Sequence, residues 1–227
     1  MTWVKICGTT NLEDARAAVE AGADALGFIF ASSPRRIDPD LVREMVADLP
    51  RPVETVGVFV NQPVEHVCEV AQYAQLTTVQ LHGDETAEYA RDLRTRAKAG
   101  SRIVKAVPVL AKFGEAMRNF AEQGRVDAVL LDTASYVRGG TGETWDWIDV
   151  AQFLPRTVAV RFIVAGGLSP ENVADAIKIL GPWGVDVVTG VEREPGKKDP
   201  EKVKAFVDAV RKADGTASSK YKVPGAR

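Results

Sequence analysis

Lys5 and Cys7 lie two residues apart in the run Trp3-Val4-Lys5-Ile6-Cys7, and the same spacing joins Gln80 to His82 and Leu130 to Asp132. Residues two apart on an extended strand share a face. Apolar neighbours such as Val4 and Ile6 need cover, which leaves the opposite face to the polar members. An amine, a thiol, an imidazole and a carboxyl gathered there can exchange protons with a ligand near neutral pH. A second signal pairs Val164-Ala165-Gly166-Gly167, followed by Ser169-Pro170, with Thr189-Gly190-Val191. Glycines let backbone N–H groups approach a ligand, and a helix N-terminus adds partial positive charge, a combination suited to an anion such as phosphate. The stretch Arg138-Gly139-Gly140-Thr141-Gly142, between Asp132 and Trp145, reads as a lid over a bound molecule.

These residues are far apart in sequence, so the fold must gather them. Eight short, β-branched apolar runs begin at Trp3, Ala25, Thr55, Thr77, Arg102, Ala128, Arg161 and Val185. They recur about every 26 residues, the pace of repeated βα units rather than hairpins. The intervening segments carry helix signals. Thr10-x-x-Glu13 reads as a capping box and Gly22 as a stop, while Asp38-Pro39, Ser169-Pro170 and Asp199-Pro200 each pair a cap with a proline at the first helical position. Stripes such as Leu41/Val42/Met45/Leu49 and Val203/Phe206/Val207/Val210 give each helix one face to bury.

Right-handed βα crossovers allow an open doubly wound sheet or a closed barrel, and eight near-equal units favour closure. The expected fold is therefore α/β, a single (β/α)8 TIM barrel with a closed parallel sheet over residues 1–212, and 213–227 as a Gly/Ser/Lys-rich flexible tail. The 29 Lys+Arg against 31 Asp+Glu, a formal charge of −2, lack a nucleic-acid binder's basic excess. Two cysteines in 227 residues exclude a disulfide scaffold and point to a reducing cytoplasm. No run is long enough to span a membrane. Having His66 and His82 as the two histidines argues against a His-rich metal site, and His66 and Cys68 read as non-catalytic residues of a helical segment.

At the level of motifs the chain resembles the phosphoribosylanthranilate isomerases of tryptophan biosynthesis. The resemblance rests on Lys5-Ile6-Cys7-Gly8 with Thr10-Asn11, Gly22-Ala23-Asp24-Ala25, Gly27-Phe28, Ser33-Pro34-Arg35 and Val56-Gly57-Val58-Phe59-Val60-Asn61. It continues through Gln80-Leu81-His82-Gly83-Asp84-Glu85, Leu131-Asp132-Thr133, Gly139-Gly140-Thr141-Gly142, Ala165-Gly166-Gly167-Leu168, Gly190-Val191-Glu192 and Pro195-Gly196-Lys197-Lys198-Asp199. One departure is Val188-Thr189, where the family usually has two small hydroxyl residues.

The resemblance implies an Amadori rearrangement of N-(5-phosphoribosyl)anthranilate to 1-(2-carboxyphenylamino)-1-deoxyribulose 5-phosphate, without cofactor or metal. It makes Asp132 the general acid on the ring oxygen and Cys7 the base at C2. Arg35, rather than Arg36, would meet the anthranilate carboxylate as a bidentate partner, with His82 and Lys5 on the same part of the substrate. Gly140, Gly142, Gly166, Gly167, Thr189 and Gly190 would hold the phosphate. Such chemistry asks for a raised Asp pKa and a partly ionised thiol, the latter aided by Lys5 or a helix N-terminus. The implied partner is a small phosphosugar, with no nucleic acid or membrane, acting on a monomer. Competing readings are another phosphosugar barrel, such as an indole-glycerol-phosphate synthase or a ribulose-phosphate epimerase, and a ligand-binding barrel without chemistry.

Overall fold

The computed structural model describes residues 1–50, 52–110, 112–132, 146–154 and 160–216. Eight parallel strands close into a barrel in sequence order: β1 (Trp3–Cys7), β2 (Ala25–Ile29), β3 (Glu54–Phe59), β4 (Thr78–Leu81), β5 (Arg102–Pro108), β6 (Ala128–Asp132), β7 (Arg161–Val164) and β8 (Gly184–Val187). Seven helices alternate with them: α1 (Leu12–Glu20), α2 (Pro39–Ala47), α3 (Val64–Tyr73), α4 (Ala87–Arg96), α5 (Phe113–Glu122), α6 (Trp147–Phe153) and α7 (Val173–Leu180). After β8 come a 3-10 turn (Thr189–Val191), a short hairpin of β9 (Glu192–Glu194) and β10 (Lys197–Lys198), and α8 (Pro200–Thr216). The expected eighth run loses its end to the turn, so Val188 and Thr189 stand outside the strand.

The two-residue alternation divides the apolar residues into two layers. Val4, Ile6, Leu26, Phe28, Val129, Leu131, Val185 and Val187 point outward to the helices. Trp3, Ala25, Val56, Val104, Ala106, Ala128, Leu130, Ile163 and Ala165 fill the barrel interior, with Trp183 stacked on Trp3 at 5.1 Å. Closure of β1 on β8 sets Trp3 against Gly184 and Lys5 against Asp186. A Cβ at Gly184 would stand 2.9 Å from the Trp3 ring, so the absence of a side chain there admits the indole.

Helix ends follow the sequence in part. Asp38 and Asp199 cap α2 and α8, each with proline next. The capping box does not form: Asn11 caps α1 by accepting from the Asp14 amide at 2.9 Å. Thr10 instead donates to the Gly196 carbonyl. Ser169-Pro170 begins a turn, and α7 starts only at Val173. Leu41 is 41 % exposed while Val42 and Met45 are buried, so the α2 stripe is narrower than expected. Helix α8 runs through residue 213, where the tail was expected to start: Ala213 is buried and Asp214 accepts from the Thr2 amide at 2.8 Å. Residues 217–227, the rest of that expected tail, lie outside the described residues.

Candidate active site

The strands end on one side of the barrel in a cavity of about 320 Å³. Its lining includes Cys7, Arg35, His82, Asp132, Gly166, Gly167 and Thr189, all expected from the sequence, together with Gln62, Gln80 and Asp186. Ile29, Val58 and Val60 form an apolar wall from β2 and β3.

Cys7 ends β1 opposite Gly27 of β2. A Cβ at Gly27 would fall 2.6 Å from the Cys7 sulfur and 2.8 Å from Lys5 Cε, so only glycine leaves room for both side chains. Lys5 does not line the cavity; its Nζ donates to Asp186 Oδ1 at 2.9 Å, behind the thiol. Burial opposes the Lys5 charge, but Asp186 and Cys7 outweigh it and raise its pKa. Burial pushes the Cys7 thiol up, against the pull of Lys5 and Lys198 and with the help of Asp186. The expected stabiliser is thus in place, while the net shift of the thiol is upward, because desolvation of the thiolate is the larger effect.

Asp132 ends β6 and lies 3.1 Å from His82 Nε2, and His82 Nδ1 lies 2.9 Å from Gln80 Nε2. An amide N–H donated to Nδ1 leaves the imidazole proton on Nε2, directed at the Asp132 carboxylate. His82 is therefore engaged with Asp132, in addition to facing the cavity. The loop that carries it is tied down from behind: Glu85 accepts from the Asn61 amide at 2.7 Å and from buried Lys105 at 3.1 Å.

Arg35 is buried and Arg36 is exposed, which separates two arginines the sequence leaves adjacent. Arg35 donates from Nε and Nη2 to the two oxygens of Glu192, at 2.8 and 2.7 Å. Arg35 lines the cavity, and with its Nε–Nη2 edge taken by Glu192 the donors left for a ligand are those of the end-on edge, Nη1 and the second N–H of Nη2.

At the ends of β7 and β8, Gly166 and Gly167 adopt φ of +82° and +66°, conformations that favour glycine. Gly190 does not line the cavity: a Cβ there would stand 2.0 Å from the Leu168 carbonyl oxygen, so its bareness serves the packing of the two loops. Gly140 and Gly142, with the expected lid, lie outside the described residues.

Residues 4–209 match the family model described as N-(5'phosphoribosyl)anthranilate (PRA) isomerase. The chain belongs to that family. The isomerase of Thermotoga maritima is 45 % identical over 209 residues, covering 91 % of this chain and 97 % of the relative. That of Desulforudis audaxviator is 47 % identical over 217 residues, covering 94 % and 100 %. The solved T. maritima phosphoribosyl anthranilate isomerase superposes with a TM-score of 0.84 at 42 % identity, covering 93 % of this chain and all of that one. Another solved isomerase, at 41 % identity, 93 % coverage of this chain, 100 % of that one and a TM-score of 0.80, is a complex with reduced 1-(o-carboxyphenylamino)-1-deoxyribulose 5-phosphate.

Among the residues not assigned a role from sequence, Asp186 lines the cavity beside Gln62 and Gln80, while Glu192 and Lys198 stand behind Arg35 and Cys7. Asp186 could have been found from alternation, since it shares the inward face with Gly184. Glu192 and Lys198 lie in the motifs Gly190-Val191-Glu192 and Pro195-Gly196-Lys197-Lys198-Asp199, but their partners are set by tertiary contacts of the β9–β10 hairpin.

Proposed function

We propose that this member of the family carries out the Amadori rearrangement with Asp132 as general acid and Cys7 as general base. What supports the reading is that a carboxyl, a thiol and a half-open guanidinium line one cavity together with the Gly166-Gly167 corner. Asp132 protonates the ring oxygen, the C–O bond breaks, and the nitrogen lone pair forms the iminium. Cys7 removes the proton from C2 and the electron pair forms the enolamine; on ketonisation the C2 hydroxyl gives its proton to the Asp132 carboxylate and the Cys7 thiol gives its proton to C1, so both groups return to their starting states and nothing is gained or lost overall. A thiol with a raised pKa is a strong base once ionised, and the iminium charge next to it favours that ionisation. Arg35 holds the carboxylate through its end-on edge, and Gly166, Gly167 and Thr189 receive the phosphate. Lys5, held by Asp186, serves the thiol rather than the substrate carboxylate. The family resemblance favours a monomer, and two cysteines without a disulfide framework favour a reducing cytoplasm. A relative described as dimeric makes sedimentation the check on the first point.

The test is loss of the fluorescence of N-(5-phosphoribosyl)anthranilate on mixing with purified protein and no added metal or nucleotide. Turnover is expected, and its absence with fresh substrate removes the assignment.

A further inference from the structure

We propose that Glu192 is a positioning residue: it sets the end-on edge of Arg35 toward the cavity and, through Lys198, ties that edge to the end of β1 that carries Cys7. The inference rests on Arg35 as the partner of the substrate carboxylate. Glu192 takes the whole Nε–Nη2 edge of Arg35. Two parallel charge-assisted bonds fix the guanidinium plane as well as its distance. Gly8 lies beneath, where a Cβ would stand 2.8 Å from Arg35 Cδ, so the stem crosses the chain at closest approach.

The same carboxylate reaches the strand that carries the base. Its Oε1 accepts from Lys198 Nζ at 3.0 Å and from the Gly196 amide at 3.2 Å. Lys198 is fully buried, and its ammonium also donates to the Cys7 carbonyl at 2.5 Å and to the Val188 carbonyl at 3.4 Å. The backbone amide of Lys198 is held by Asp14 at 2.8 Å. One hydrogen-bonded chain therefore runs from the guanidinium to the backbone of the proposed base. Lys198 is held with its pKa lowered by burial, against the influence of Glu192, and both charges depend on the pairing. An arginine without such a partner would have to be ordered by each arriving substrate, at a cost in affinity.

Glu192→Gln keeps the shape and removes the charge. Expected is a KM raised about 10-fold or more with kcat within about 3-fold, the pattern for a lost uniform binding interaction. In an Arg35→Gln background the substitution should add little, since coupled residues are non-additive. Direct titration should show anthranilate binding weakened in E192Q and inorganic phosphate binding unchanged. An unaltered KM, additive effects in the double variant, or equal weakening of both probes overturns the proposal. Wild-type turnover is measured first, so failure of the functional reading is seen separately, and the titrations read the inference in either case.

Discussion

Lys5 and Asp186 face each other across the seam where the barrel closes, 2.9 Å apart and both buried. The thiol of Cys7 lies beside the pair and feels its two charges with opposite sign: Lys5 favours the thiolate and Asp186 opposes it. Alkylation of Cys7 by iodoacetamide, followed against pH in a Cys68→Ser background, reads this directly. In the parent the ionisation lies above the usual thiol range, because burial is the largest influence. Lys5→Met should move it further up and Asp186→Asn should move it down. A shift of both in the same direction would show that the pair does not tune the thiol. Each variant also breaks a buried pair, which typically costs about 3–5 kcal/mol, so thermal unfolding is recorded alongside.

Asp132 and His82 make a second pair, 3.1 Å apart, joining the residue after β4 to the end of β6. If Asp132 transfers the proton to the ring oxygen, Asp132→Asn should lower kcat by about 10²- to 10⁴-fold, the usual worth of a positioned acid. His82→Asn removes the imidazole that orients the Asp132 carboxyl toward the cavity, and the misplaced acid should cost roughly 10- to 100-fold in kcat. Steady-state kinetics on folded variants decide this. Near-wild-type turnover in the Asp132→Asn enzyme ends the acid assignment.

The Glu192 cluster makes acid stability a readout of the same region. Burial raises the Glu192 pKa, but the hydrogen bonds from Arg35 and the Lys198 charge more than offset it, holding the carboxylate below its usual range. The folded state therefore binds fewer protons than the unfolded chain in that interval. The contribution is full above the unfolded carboxylate value of about 4.3 and is lost as pH falls through the lower folded value. Thermal unfolding from pH 6 downward should show the wild type losing more stability than Glu192→Gln. Parallel curves for the two proteins would contradict this.

The barrel and its inward residues are legible in the sequence because both depend on short-range periodicity. Alternation puts Lys5, Cys7, Gln80, His82 and Asp132 on inward faces, and repeated βα units bring Cys7, Gln80, His82 and Asp132 to one mouth, with Lys5 behind Cys7. Lys5 with Asp186 is different in kind: the partners are 181 residues apart, and the contact follows from the register of β1 on β8. Arg35 with Glu192 spans 157 residues and depends on how the β9–β10 hairpin folds back. Local punctuation misled where two cap residues compete, as with Thr10 and Asn11, since Thr10 has a tertiary partner in Gly196.

Gly190 separates two meanings of a glycine near an anion site. Ligand approach would ask for an open backbone, whereas an ideal Cβ there meets the Leu168 oxygen at 2.0 Å and the Ser169 Cα at 3.0 Å. Both obstacles are backbone, so a side chain must push the loops after β7 and β8 apart, and overpacking of this sort costs about 1–3 kcal/mol. Because Gly166, Gly167 and Thr189 stand on those two loops, Gly190→Ala should raise KM about 10-fold and weaken inhibition by inorganic phosphate alongside its loss of stability. Gly100→Ala is the control: φ is +87° with nothing among the described residues within 4 Å of the added carbon, so strain arises without a clash. It should lose about 1–2 kcal/mol of stability, the cost of a left-handed non-glycine residue, with KM and phosphate inhibition unchanged. If the two variants lose stability but neither changes phosphate inhibition, the loop contact at Gly190 has no part in shaping the anion corner.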